Sequence, residues 1–121
     1  MEEWQLDFEW LKIRTLLKNR FQKDELPDLN AVLFLMGIQV LGRWKNEFSK
    51  EEKQDLMHIA ICELMSSEGF YEFEGRDQDG WPHYNMIKKF TLTGVKDQEN
   101  YLKLKIIKYF NQEQLLNDEE E

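Results

Sequence analysis

From Glu3 to Gln22 the chain contains neither glycine nor proline, and its apolar residues fall into two rows rather than one. Leu6, Trp10, Ile13 and Leu17 recur at i, i+4, i+7 and i+11, which is one face of an α-helix. Trp4, Phe8 and Leu11 make a second row, and at about 100° per residue it lies well around the helix from the first. A surface helix of a small domain needs one apolar stripe. A helix with two has to be covered twice, and a single core supplies only one cover. This limits the fold and its associations more than any motif in the chain.

The other elements follow from periodicity and caps. Asp28, after Pro27, is placed to cap a second helix over Leu29 to Trp44, whose apolar residues leave almost no polar side. Such a helix belongs in the centre of a domain, and Gly37 would let a neighbour approach it closely. Ser49-Lys50-Glu51-Glu52 has the spacing of a capping box, so a third helix is expected from Lys50 to Ser67, ending at Gly69. Its expected core face is Leu56, Met57, Ala60, Ile61, Leu64 and Met65. Phe70 to Glu74 alternates like a strand, Asp79-Gly80 is a common hairpin turn pair, and Trp81 to Ile87 would return, with Pro82 confined to an edge. The last helix should start near Val95 or Asp97 and reach Leu116. Residues 101–107 also alternate with period two, which leaves a strand as a competitor there. The expected fold is mainly α: four helices around the buried second one, with a β-hairpin or extended loop between helices 3 and 4. Residues 1–112 would form one helical domain and 113–121 an acidic C-terminal tail.

Charge and cysteine usage exclude several classes. The net charge is −8, but five of the 24 acidic residues lie in 113–121 with no base among them, so the body is much nearer balance. Six lysines cluster between Tyr84 and Gln112, and they read as a solvated face beside the tail. Net acidity disfavours nucleic acid as a partner, because that binding depends on neutralising phosphates. The most apolar stretch, Ala31 to Ile38, is far shorter than the roughly 20 residues of a membrane helix. One cysteine, Cys62, cannot close a disulfide within the chain and suits a reducing compartment. The acidic start Met1-Glu2-Glu3-Trp4 has no apolar run of a secretory signal. A cytoplasmic location is expected.

The segment "GRDQDGWPHY", residues 75–84, concentrates recognition groups: Arg76, Asp77, Asp79, Trp81, His83 and Tyr84. Asp77-Gln78-Asp79-Gly80 has the look of a calcium loop, but with Gly80 at the glycine position Gly75 stands first and Met86 twelfth, and neither carries the carboxylate required. There is no Gly-x-Ser-x-Gly elbow, and Cys62 falls inside a helix, so no nucleophile is evident. The sharper chemical candidate joins two places. Asp55, His58 and Cys62 fall at i, i+3 and i+7 on one flank of the third helix, and His83 from the hairpin could complete a four-ligand zinc set. Against it, Cys62 reads as a small buried hydrophobe and His58 as a boundary residue with a hydrogen bond.

The segments "FSKEEKQDLMHIAICELM" and "GFYEFEGRDQDGWPHYN" together resemble an uncharacterised family of short bacterial proteins of the Bacteroidota type. The likeness covers residues 26–110 and is most specific in "EKQDLMHIA" and "DGWPH". It implies a stand-alone cytoplasmic bacterial domain and brings no activity, cofactor or site with it.

The sequence therefore points to a non-catalytic interaction or small structural module without a cofactor. Its contact residues are expected in Trp4, Phe8 and Leu11, which would pair with a copy of the chain as a homodimer or with another protein, and in the hairpin group. The alternative is a small metal-dependent enzyme or metal-binding protein using zinc at Asp55, His58, Cys62 and His83.

Overall fold

A computed structural model describes residues 2–89 and 95–120, with the side chains of 95, 96 and 113–120 outside the description. Four helices and one hairpin follow in the order α1 (Glu3–Arg20), α2 (Leu29–Leu41), α3 (Lys50–Ser66), β1 (Tyr71–Arg76), β2 (Pro82–Met86) and α4 (Val95–Glu120). The fold is mainly α, with a small two-stranded antiparallel sheet between α3 and α4. Its contacts group into two compact units, residues 1–28 with 92–121 and residues 29–91.

In the first unit α1 and α4 pack on each other. The first row of α1 is buried: Leu6, Trp10, Ile13 and Leu17, the last with no exposed surface. Among the described side chains of α4 the buried ones are Ile106, Ile107 and Phe110, a helical spacing that decides against a strand over 101–107. Lys103 lies over the Trp10 ring at 5.7 Å, and Arg14 donates to the Pro27 carbonyl at 2.7 Å, tying the segment after α1 back onto the helix. The expected acidic tail, 113–121, falls outside the described side chains.

The second unit is built on α2 against α3. Val32, Leu33, Leu35, Met36, Gly37, Ile38 and Leu41 are all buried, as a helix without a polar side requires. A Cβ at Gly37 would stand 2.1 Å from the Leu56 carbonyl oxygen, so glycine is what allows the two helices to come this close. The capping box of α3 is formed, with Glu52 N–H donating to Ser49 Oγ at 3.1 Å and Ser49 N–H to Glu52 Oε1 at 3.0 Å. Lys45 adds an ion pair to Glu52 at 2.8 Å. At the other end Gly69 takes a left-handed φ of 83° and Phe70 N–H donates to the Met65 carbonyl at 3.1 Å, which closes the helix.

Three expectations are corrected here. α2 stops at Leu41 rather than Trp44: Gly42 turns the chain, and Trp44 emerges exposed with its ring edge-on to Phe48 at 6.3 Å. The hairpin tip is not a two-residue Asp79-Gly80 turn. Arg76 pairs with Pro82 and five residues intervene, with Gly80 N–H donating to the Asp77 carbonyl at 3.0 Å, so Gln78 and Asp79 occupy the centre of the turn. A bulge between Phe73 and Gly75 shifts the register along β1. Finally, the core face of α3 is rotated. Ile59 and Cys62 are buried while Met57 and Ile61 are only half-buried, because the hairpin packs against α3 and covers the flank that periodicity alone left open.

Candidate functional site

Two places collect the residues that the sequence marks for recognition. The first is the outer face of α1. Trp4 is 68% exposed, Phe8 57% and Leu11 45%, while the opposite row of the same helix is buried. Single exposed apolar side chains are ordinary on protein surfaces, but two aromatics and a leucine in line on one helix are not. Lys12 lies over the Phe8 ring at 5.5 Å and pairs with Glu9 at 3.3 Å.

The second is a cleft of about 310 Å³ between α3 and the hairpin. It is lined by Asp55, His58, Ile59 and Cys62 from α3 and by Asp77, Trp81, Pro82, His83 and Tyr84 from the hairpin. The hairpin does fold onto this helix flank, as the zinc set requires, and all four residues of that set border the same space. They do not converge. Among the described residues no three His, Cys, Asp or Glu side chains are placed to hold a metal ion.

The hydrogen bonds explain why. His83 Nε2 is directed at Asp77 Oδ2, 2.9 Å away, while His58 Nε2 lies 3.5 Å from the Cys62 sulfur and its ring stands edge-on to Tyr71 at 6.1 Å. Burial pushes the Cys62 thiol up to about 11, so the thiolate that would bind a metal or attack an electrophile is disfavoured. Asp77 is held below the usual carboxylate range, first by its bond with His83 and then by the Trp81 N–H. Its Oδ1 accepts from Asp79 N–H at 2.9 Å and Trp81 N–H at 3.0 Å, so one carboxylate organises the turn and one histidine together.

Arg76 and Tyr84 are committed in the same way. Arg76 donates to the carbonyls of Val40 at 2.7 Å, Leu41 at 3.1 Å and Gly80 at 2.8 Å, joining the hairpin to the end of α2. This satisfies carbonyls that a helix C-terminus leaves without partners. Arg43 reaches across to the Asp79 carbonyl. Tyr84 donates to Glu63 Oε2 at 2.6 Å, and burial followed by that carboxylate raises the phenol strongly. Glu63, Val40 and Leu41 carry no signal in the sequence that they receive these bonds, since each partner lies 21 or more positions away. The carboxylate of Asp77 closing its own turn could have been read, because Asp two residues before a second turn residue is a common local cap.

No family model matches the chain, and no curated protein or solved structure matches it. Among the described residues no helix is long and apolar enough to cross a membrane.

Proposed function

We propose that this chain is a non-catalytic interaction module that docks a protein partner, a second copy of the chain or another protein, on the outer face of α1. The observation that carries the reading is the exposure of Trp4, Phe8 and Leu11 in line along a helix whose other row is fully used by the fold. Burying such a row removes aromatic and aliphatic surface from water at about 25 cal/mol per Å², with little to desolvate in return. The hairpin group supports the same conclusion from the opposite side. Arg76, Asp77, His83 and Tyr84 are taken up by bonds within their own unit, which makes them parts of a scaffold. The family resemblance adds a stand-alone cytoplasmic bacterial protein to the proposal.

The test compares retention of host proteins on immobilised wild-type chain and on the double variant Trp4→Asp with Phe8→Asp. A partner, or the chain itself, held by the wild type and released by the variant agrees with the reading. Equal retention by both would remove the outer face of α1 from consideration.

A metal-binding or small metal-dependent enzymatic role at Asp55, His58, Cys62 and His83 is kept as a second reading by one observation, the shared cleft that these side chains border. It requires His83 to leave Asp77 and turn into the cleft. Elemental analysis of protein purified without a histidine tag decides it: stoichiometric zinc or iron that disappears in His58→Ala supports the metal reading, and a metal-free protein discards it.

A further inference from the structure

Charge along α1 is segregated. Glu2, Glu3, Asp7 and Glu9 occupy its start with no base among them, and Lys12, Arg14, Lys18 and Arg20 occupy its second half with no acid. This order suits the helix dipole, but the dipole does not dictate where around the helix each charge sits. Asp7 and Lys18 both fall about 60° to the same side of the Trp4-Phe8-Leu11 row, at opposite ends of it. Asp7 is exposed and Lys18 half-buried, and among the described residues neither is in an ion pair. Lys12, on the other side of the row, is already paired with Glu9.

We propose that the partner of this face is the same face of a second copy, running antiparallel, with Lys18 of each chain set between Trp4 and Asp7 of the other. The inference rests on the reading of α1 as a docking face and names its occupant. A two-fold axis beside Leu11 puts position 18 of one helix opposite position 4 of the other, and Asp7 lies about one helical turn further along on the same flank. The ammonium then meets the Trp4 ring and the Asp7 carboxylate together, and symmetry repeats the arrangement at the other end. In a parallel pairing the two-fold axis runs along the helices, so Asp7 of one chain and Lys18 of the other fall on opposite flanks of the seam and about 16 Å apart in height, and neither meets its opposite charge. The apolar row supplies attraction in either direction, and the charges choose one.

The experiment is sedimentation of the full chain at low ionic strength, for the wild type, for Asp7→Lys, for Lys18→Asp and for an equimolar mixture of the two variants. The wild type is expected to dimerise reversibly. Each variant alone faces like charges at both ends, and its dissociation constant should rise at least about tenfold. In the mixture every new lysine meets a new aspartate, so heterodimers should form with near wild-type strength. Circular dichroism is expected to be unchanged, since both positions leave the buried row intact. Variants that dimerise like the wild type, or a mixture no stronger than either variant alone, would overturn the antiparallel pairing. A wild type that stays monomeric at high concentration would also overturn it. In that case a foreign protein held by the wild type but not by Trp4→Asp with Phe8→Asp leaves the broader docking reading standing, whereas equal retention removes both.

Discussion

The hairpin corner and the outer face of α1 hold the two densest sets of recognition groups in this chain, and the fold uses them in opposite ways. At the hairpin, Arg76 holds three carbonyls, Asp77 holds His83 and two backbone N–H groups, and Tyr84 holds Glu63. Little of that polar capacity is left for a ligand. On α1 the three large apolar side chains of the outer row are more than two-fifths exposed, and the fold leaves the row largely uncovered. Residue type alone favours the hairpin as a site, because arginine, histidine and acids around a tryptophan look like chemistry. Partner accounting favours the helix. A group already satisfied within its own unit contributes stability, and one left in water is available for binding.

The largest expected effect is at the hairpin. Arg76→Ala should cost about 2–3 kcal/mol of unfolding free energy, since it strips three charge-assisted bonds and leaves the α2 carbonyls without partners. Urea unfolding measures it, and a loss under half a kcal/mol would mean the corner is not a scaffold. Tyr84→Phe should cost about 1–2 kcal/mol by the same assay, because Glu63 loses its 2.6 Å donor in a half-buried place. A smaller effect concerns pH. Asp77 has its folded pKa depressed, chiefly by His83, so its contribution is complete above the ordinary carboxyl value and fades as pH falls through the lower folded one. Asp77→Asn should therefore flatten part of the acid limb of the stability profile, and an unchanged limb would show that the His83 bond does not hold in solution. The smallest effect on folding belongs to α1. Measured below the dimer dissociation constant, Trp4→Asp with Phe8→Asp should shift unfolding free energy by no more than about 0.5 kcal/mol, because neither side chain is part of the core. A large destabilisation there would erase the contrast between the two regions.

Helices and most of their ends were legible because their causes are local, the end of α2 at Leu41 rather than Trp44 excepted. The capping box at Ser49, the stop at Gly69 and the buried row Leu6-Trp10-Ile13-Leu17 each depend on residues within a few turns of one another. So did the exposure of Trp4, Phe8 and Leu11, which follows from having two rows on one helix. What escaped was set at long range. The rotation of the α3 core face toward Ile59 and Cys62 needs the hairpin in place, and the bond from Tyr84 to Glu63 spans 21 positions. The zinc set illustrates the limit most clearly. Sequence spacing placed Asp55, His58 and Cys62 on one flank and could only offer His83 as a fourth member if the hairpin folded there, and all four do border one cleft. Spacing could not say that His83 would turn to Asp77 instead of toward the others.

The central claim is that contacts form at α1 and not at the hairpin. A photo-crosslinking amino acid placed at position 8 in one variant and at position 79 in another, both expressed in the native host, tests it directly. The account expects a discrete protein adduct, to the chain itself or to a second protein, from position 8 and none from position 79. Adducts from position 79 with none from position 8 would contradict it.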